Sequence, residues 1–275
     1  MSTESPSPAV DIAPRWGRYV AVGDSFTEGL ADPDPVEPDR YRGWADLLAG
    51  TLSDRRAAAG QPPLEYANLA VRGRLLRPIL TEQLPAALDL RPDLVSVIGG
   101  GNDLLRPGSD VVTLLDSLEA AVVTAQRTGA AVLLGTGFDT AESPVVRRIR
   151  PKVATYNTGL WSIAHRHGAH VLDLWGMRSL ADGRMWAPDR IHLTTDGHER
   201  VAQAALVALG LTPDDPAWDD PLTPLPPVAR ADRWRSDARW AREYAYPWLR
   251  RRLARQSSGD AVVAKRPRPA PVERP

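Results

Sequence analysis

The sequence predicts a three-layer α/β/α sandwich around a five-stranded parallel sheet. Three observations support this fold class. Short apolar runs recur along the chain, longer helical patterns separate them, and 43% of the 275 residues are hydrophobic against 25% charged, which suffices for a sizeable core. A chain of this length accommodates one such domain together with additional segments.

Five runs have the character of parallel strands covered on both faces, because each is short and nearly continuous in apolar residues. They are residues 18–23, 64–70, 93–99, 130–136 and 169–174. Helical patterns between and after these runs occupy residues 44–60, 72–90, 109–129, 144–168 and 195–210. Because strands and helices alternate, the helices are expected to cross between parallel strands and to cover the sheet.

Outside this alternation the composition changes, which divides the chain into four segments. Residues 1–14 are rich in Ser and Pro and are expected to be a disordered lead, and residues 15–211 form the α/β domain. Residues 212–256 hold a Pro-rich strap and a helix rich in Trp and Arg, expected to pack on or over the domain. Residues 257–275, rich in Pro and Arg, are expected to be a disordered tail.

Charge and cysteine content narrow the possible functions. The formal net charge is +0, so no overall field attracts nucleic acid or an anionic membrane, and no nucleic-acid partner is expected. The absence of cysteine excludes disulfides, thiolate metal sites and thiol nucleophiles. The chain shows no signal-peptide pattern and no apolar run long enough to span a bilayer, so the simplest expectation is a cytoplasmic protein.

Residues of types that can take part in catalysis or ligand binding follow four of the predicted strands. Ser25 comes after the first strand in GDSFTEG, Gly73 after the second in NLAVRG, and Asn102 after the third in GGGNDLL. Asp189 and His192 lie in DRIHLTTDGH, after the fifth strand. Ligands bind beyond the carboxyl ends of parallel strands, so these loops are expected to meet at one edge of the sheet.

The residue types in these loops complement one another. A serine nucleophile needs a base, the base needs an orienting carboxylate, and the developing oxyanion needs fixed donors. Asp189 and His192 are three residues apart, so one turn of chain can bring the carboxylate against the imidazole. The amide of Asn102 donates without ever being charged, and Gly73 has no Cβ to keep a substrate from its backbone N–H.

Two other classes of function remain open at this point. A lone serine at a strand-to-helix junction is more often an N-cap, and such a loop can also bind an anion without turnover. The segment containing Trp234, Trp240 and Trp248 with interleaved arginines can serve a peripheral membrane or partner-binding protein. The histidines of HRHGAH, residues 165–170, are interpreted as polar residues at a helix C-terminus rather than as metal ligands.

The blocks GDSFTEG, NLAVRG, GGNDLL and DRIHLTTDGH resemble, in the same order, the sequence blocks of the SGNH, or GDSL, hydrolase superfamily. The resemblance covers roughly residues 17–210. It implies a flavodoxin-like sheet and a serine esterase or acylhydrolase that cleaves a carboxylic ester, or a related acyl bond, through an acyl-enzyme. No metal or other cofactor is implied.

The resemblance also implies a role for each residue that matches a family marker. Ser25 is the nucleophile, His192 the base and Asp189 the carboxylate that orients the base. The oxyanion hole consists of the backbone N–H groups of Ser25 and Gly73 and the side chain of Asn102.

The substrate is expected to be a small-molecule or lipid ester, without a choice between esterase, lipase, deacetylase and thioesterase. Apolar side chains near the predicted mouth are candidates for an acyl pocket, and arginines there are candidates for binding a carboxylate or phosphate. The candidate substrate-binding residues are Phe26, Leu30, Arg72, Leu75, Leu104 and Arg190.

Overall fold

A six-stranded sheet runs through the middle of the protein, in the order β5-β4-β3-β1-β2-β6. The computed structural model describes residues 14–141, 146–226, 229–247, 250, 259 and 261–272. The strands are β1 Arg18–Gly23, β2 Glu65–Asn68, β3 Leu94–Ile98, β4 Ala131–Gly135, β5 His170–Leu172 and β6 Arg266–Pro271.

The five predicted strands are present, and β1 to β5 pair in parallel. In β1, Tyr19 and Ala21 pack into the core on one face, while Val20 and Val22 pack into the core on the other. This alternation follows from the two-residue period of a strand, and it explains why the run is apolar throughout. The predicted α/β class is confirmed, with one strand more than expected.

Helices cover both faces of the sheet. Their bounds are α1 Ser25–Glu28, α2 Trp44–Ala58, α3 Leu76–Pro78, α4 Leu84–Asp89, α5 Gly101–Leu104, α6 Val111–Gln126, α7 Arg150–His167, α8 Thr195–Ala208 and α9 Arg230–Trp240. Side chains of α2 and α8 enter one core, and those of α4, α6 and α7 enter the other. Among the described residues, no helix combines the length and apolarity needed to cross a membrane.

The helix predicted over residues 72–90 is too long at its start. Residues 69–75 form an irregular loop, after which α3, a π-helical turn over Ile79–Gln83 and α4 follow one another. Gly73 lies in this loop with a φ of +73°, a backbone conformation that ends helical geometry and that glycine adopts without steric cost. The loop therefore lies at the carboxyl edge of the parallel strands, next to the end of β1.

The tail predicted to be disordered contains β6, so that prediction is wrong for Arg266–Pro271. This strand pairs antiparallel with β2, with Glu65 opposite Pro271 and Tyr66 opposite Ala270. Proline occupies every second position of the strand sequence RPRPAP. An edge strand tolerates this pattern, because only alternate residues have to donate a hydrogen bond to the neighbouring strand.

Lys265, the residue directly before β6, fastens this tail to the domain. Its Nζ donates to the backbone carbonyls of Glu28 at 2.7 Å and Tyr41 at 2.9 Å, to the carbonyl of Arg42, and to the Asp46 carboxylate at 2.5 Å. Burial raises the pKa of Asp46, and the Lys265 ammonium opposes that rise. One cation thus holds α1, α2 and the connection between them.

The segment before α9 follows the surface without regular structure. Residues 212–226 contain no helix or strand. Arg55 of α2 donates to the Thr212 carbonyl at 2.6 Å, and Arg200 of α8 donates to the Trp218 carbonyl at 2.5 Å. The division of the chain into a domain and a C-terminal extension stays a prediction. The predicted disordered lead, residues 1–14, lies outside the described residues except for Pro14. Trp248 also lies outside the described residues.

Replacing Lys265 by Ala should lower the free energy of unfolding by about 2–3 kcal/mol, since Asp46 and three carbonyls lose their shared donor. Urea denaturation followed by circular dichroism measures the loss. Lys152, whose Nζ donates to Ser109 Oγ at 3.2 Å, provides the matched control, and its replacement by Ala should cost less than about 1 kcal/mol. Equal losses in the two variants would contradict an anchoring role for Lys265.

Candidate active site

Ser25 stands at the first position of α1, directly beyond the end of β1. The N-cap of α1 is Asp24, whose side chain accepts from the Phe26 backbone N–H at 3.1 Å. The hydroxyl of Ser25 is therefore not the helix cap. The turn also requires glycine before it, because a Cβ on Gly23 would lie 2.5 Å from Thr27 Oγ1 and 2.6 Å from the Ile98 carbonyl oxygen.

Three side chains predicted to act together are in contact. His192 Nε2 lies 2.9 Å from Ser25 Oγ, and His192 Nδ1 lies 2.6 Å from Asp189 Oδ2. The Asp189 carboxylate only accepts hydrogen bonds when ionised, so Nδ1 carries the proton and Nε2 presents its lone pair to the serine hydroxyl. The order serine, imidazole, carboxylate is that of a nucleophile with an oriented base.

The loop that carries Asp189 and His192 is a tight turn ahead of α8. Trp186 and Leu193 form an isolated antiparallel bridge, and the Ala187 N–H donates to the His192 carbonyl at 2.8 Å. Arg190, at the apex, has a φ of +59°, which is strained for a residue with a side chain. The turn places the carboxylate and the imidazole on the same side of the loop.

The Asp189 carboxylate is held ionised by its surroundings. Partial burial is the largest influence and raises its pKa, but hydrogen bonds and charge together lower the pKa below the usual value. Asp189 Oδ1 accepts from the backbone N–H groups of Ile191 and His192, each at 3.0 Å, while Oδ2 faces the imidazole. The carboxylate can therefore stabilise a positive charge on His192.

Asn102 lies at the start of α5, beyond the end of β3. Its Nδ2 donates to Asp24 Oδ2 and to the Arg74 carbonyl, each at 3.0 Å. Both amide hydrogens thus have acceptors, which fixes the side chain next to the first turn of α1. Asp103, the next residue, accepts from the Leu76 N–H at 2.8 Å and ties α5 to the start of α3, directly after the Gly73 loop.

The Gly73 loop is fixed from two sides. The Val71 N–H donates to the Gly23 carbonyl at 3.2 Å, and the Arg72 N–H donates to Glu28 Oε2 at 2.7 Å. In the part of the chain that the structure describes, the N–H of Gly73 has no acceptor. The N–H of Ser25 has no intrahelical acceptor either, because it opens a helix. These two backbone N–H groups and the Asn102 amide lie on three loops at the same edge of the sheet.

The four apolar candidates for substrate binding differ in their exposure. Phe26, Leu30 and Leu75 are partly exposed, as a pocket wall requires. Leu104 is 2% exposed and packs in the core against the sheet, so its assignment to the pocket is wrong. It is buried because α5 turns this side chain inward, away from the loop edge.

Both candidate arginines are engaged by acidic side chains of the protein. Arg72 pairs with the buried carboxylate of Glu28, which also accepts from the Arg72 backbone N–H. Arg190 donates to Asp237 at 2.6 Å. The guanidinium groups thus neutralise internal partners, and the expectation that they bind an anionic substrate loses its basis.

The aromatic neighbours of Phe26 were not predicted from the sequence. The ring centroid of Phe138 lies 6.4 Å from that of Phe26 and 4.7 Å from that of Trp186. Phe138 follows β4 by three positions, so its place beyond the carboxyl end of a predicted strand was the available signal. Within the described segments, no group of three or more His, Cys, Asp or Glu side chains is arranged to hold a metal ion.

A family model described as GDSL-like lipase/acylhydrolase matches residues 21–200. The chain belongs to this family. The match includes Ser25, Gly73, Asn102, Asp189 and His192, and it confirms the resemblance that the sequence blocks indicate. This GDSL-like protein is therefore an esterase or acylhydrolase.

Solved structures show the same fold. LAE5, an alpha/beta hydrolase enzyme from the metagenome of Lake Arreo, Spain, is 23% identical, with 70% of this chain and 95% of that chain covered and a TM-score of 0.59. Axe2, an acetylxylan esterase from Geobacillus stearothermophilus, is 18% identical, with coverages of 72% and 97% and a TM-score of 0.58. TesA is 24% identical, with coverages of 70% and 97% and a TM-score of 0.53. No curated protein matches this GDSL-like chain.

Asp24 gives the site a testable pH dependence. Burial raises its pKa to about 6, and the Asp103 carboxylate adds to the rise, while the Phe26 N–H and His192 oppose it. The folded state therefore binds this proton more tightly than the unfolded chain, whose value is about 4. The resulting stabilisation is complete below about pH 4 and is lost as the pH rises through about 6.

Replacing Asp24 by Asn should remove this dependence. Between about pH 4 and about pH 7, the free energy of unfolding of the wild type should fall by about 2–3 kcal/mol relative to that of the variant. Urea denaturation of both proteins at several pH values measures the difference, and titrating groups that do not interact with Asp24 cancel in the comparison. Parallel curves over this range would refute the raised pKa.

Proposed function

We propose that this protein cleaves a carboxylic ester, or a related acyl bond, through an acyl-enzyme at Ser25. The observation that carries the proposal is the continuous hydrogen-bonded row from Ser25 Oγ to His192 at 2.9 Å and from His192 to Asp189 at 2.6 Å. Neither an N-cap nor an anion-binding loop requires this row, because both use Ser25 without a base.

The acylation step follows from the positions of the protons. His192 Nε2 takes the proton of Ser25 Oγ as the oxygen attacks the carbonyl carbon. The ionised Asp189 holds the Nδ1 proton and stabilises the imidazolium that forms. His192 then gives its Nε2 proton to the leaving alcohol, and the acyl group stays on Ser25.

Three donors support the negative charge of the tetrahedral intermediate. We assign this role to the backbone N–H groups of Ser25 and Gly73 and to the side chain of Asn102. Both amide hydrogens of Asn102 already have acceptors, Asp24 and the Arg74 carbonyl. One of these two hydrogen bonds therefore has to break before Asn102 can donate to the oxyanion. Water then attacks the acyl carbonyl carbon as His192 Nε2 takes its proton, and His192 returns that proton to Ser25 Oγ as the acyl–serine bond breaks and the acid leaves.

The surroundings of Ser25 favour a neutral ester with a short acyl group. Phe26 follows Ser25 directly, and its ring lies tilted against that of Phe138 at a centroid distance of 6.4 Å, which puts aromatic surface on the chain next to the nucleophile. Arg72 and Arg190 are paired internally, so they add no affinity for an anionic group. Axe2, a structure of the same fold, is described as an acetylxylan esterase, and acetyl esters are therefore the first substrates to try.

Labelling with a fluorophosphonate tests the nucleophile. Because His192 activates Ser25, the wild-type protein should gain one adduct on Ser25, and intact mass with peptide mapping identifies it. Ser25→Ala should gain none and should lose hydrolysis of p-nitrophenyl acetate. Ser117→Ala, which removes a hydroxyl on α6 that donates to the Thr113 carbonyl, is the matched control and should label like the wild type.

An unlabelled, folded wild-type protein that also fails to hydrolyse p-nitrophenyl acetate would reject the proposal. The chain would then be better explained as a scaffold that binds an anion at α1 without turnover.

Replacing Asn102 by Ala tests the oxyanion hole separately from the nucleophile. Loss of one donor typically lowers kcat by about 10²- to 10³-fold, with a much smaller change in KM, because the oxyanion exists only in the transition state and intermediate. Steady-state kinetics with p-nitrophenyl acetate measures the two constants. A rise in KM at constant kcat would instead place Asn102 in substrate binding.

A further inference from the structure

Helix α9 turns one narrow face toward the domain. Asp237 and Trp240 are partly buried, and they lie three residues apart, as neighbours on one face of a helix do. Trp234, on the same helix, is 73% exposed. The helix therefore contacts the domain through a defined stripe rather than through its aromatic residues at large.

This stripe reaches the turn that carries the proposed catalytic carboxylate. The indole Nε1 of Trp240 donates to the backbone carbonyl of Asp189 at 2.9 Å. The guanidinium of Arg190 donates to Asp237 at 2.6 Å and to Ser236 Oγ at 3.1 Å. It also lies 5.5 Å from the centroid of the Trp240 ring, within the range of a cation–π interaction. These three hydrogen bonds between α9 and the domain all end on Asp189 or Arg190.

The contacted turn is one that needs external support. Arg190 has a φ of +59°, and a strained residue keeps such a conformation only where its surroundings hold it. Asp189, next to it, carries the carboxylate that fixes His192 at 2.6 Å. A relaxation at Arg190 would rotate the peptide of Asp189 and withdraw the carboxylate from the imidazole.

We propose that α9 positions the acid–base pair, with Trp240 and Asp237 as positioning residues that hold the Asp189–Arg190 turn. This inference rests on the proposed function, because it assigns Asp189 and His192 their catalytic roles. The family match ends at residue 200, so this support comes from a part of the chain that the family pattern does not include. Neither positioning residue touches the reacting atoms.

The full-length variant Trp240→Phe tests the proposal, since it removes the N–H donor and keeps an aromatic ring over Arg190. With p-nitrophenyl acetate as substrate, kcat should fall about 3- to 10-fold while KM changes less than about 2-fold. The rate of fluorophosphonate labelling at Ser25 should fall in parallel, and the melting temperature should move by less than about 3 °C. Trp234→Phe, on the exposed face of the same helix, is the matched control and should equal the wild type.

A second pair of variants tests the ion pair without touching Trp240. Asp237→Asn removes the charge that faces Arg190 and should lower kcat by about 2- to 5-fold, whereas Asp237→Glu keeps the charge and should restore most of it. A merely structural role would show as equal loss in both variants together with a lower melting temperature.

The outcomes separate this inference from the function on which it rests. If the wild type neither labels nor hydrolyses the ester, the proposed function fails. If the wild type is active and Trp240→Phe and Asp237→Asn match it, only the positioning role fails. A rise in KM with unchanged kcat would overturn the positioning role in favour of substrate contact. If Trp240→Phe does not fold, the comparison of Asp237→Asn with Asp237→Glu decides.

Discussion

The site depends on the hydrogen bond between Ser25 Oγ and His192 Nε2, which joins side chains 167 residues apart in the sequence. Its two ends lie in the first and the last loops at the carboxyl edge of the parallel sheet. Between them, β1 pairs with β3 so that Gly23 stands opposite Ile98, and the loops of Ser25 and Asn102 therefore leave the sheet at the same level. The helices and the two cores keep this edge in register.

Buried polar groups link the loops at that edge and set the electrostatics of the site. Asp24 caps α1 and accepts from Asn102, so the turn of the proposed nucleophile and the proposed oxyanion donor share one carboxylate. Burial raises the pKa of Asp24, whereas hydrogen bonds lower the pKa of Asp189. Two carboxylates near one histidine are thus suited to different tasks: Asp189 to supporting positive charge, and Asp24 to fixing donors.

The C-terminal part of the chain supports the site from two sides. Lys265 joins the carbonyls that follow α1 to the start of α2, and β6 closes the sheet next to β2. On the opposite side, α9 contacts the turn of Asp189. Lys265, β6 and α9 all lie beyond residue 200, where the family match ends.

The sequence by itself determined the five parallel strands, the loops that follow them and the candidate residues on those loops, since apolar periodicity and residue type are local properties. It missed β6 because alternating prolines are typical of disorder and become a strand only beside the edge of β2. It also placed Leu104 in the pocket, although packing turns that side chain into the core. The partners of Arg72 and Arg190, and the contact of Trp240 with Asp189, were decided only by the tertiary structure, because they join segments whose proximity depends on how the whole chain folds back on itself.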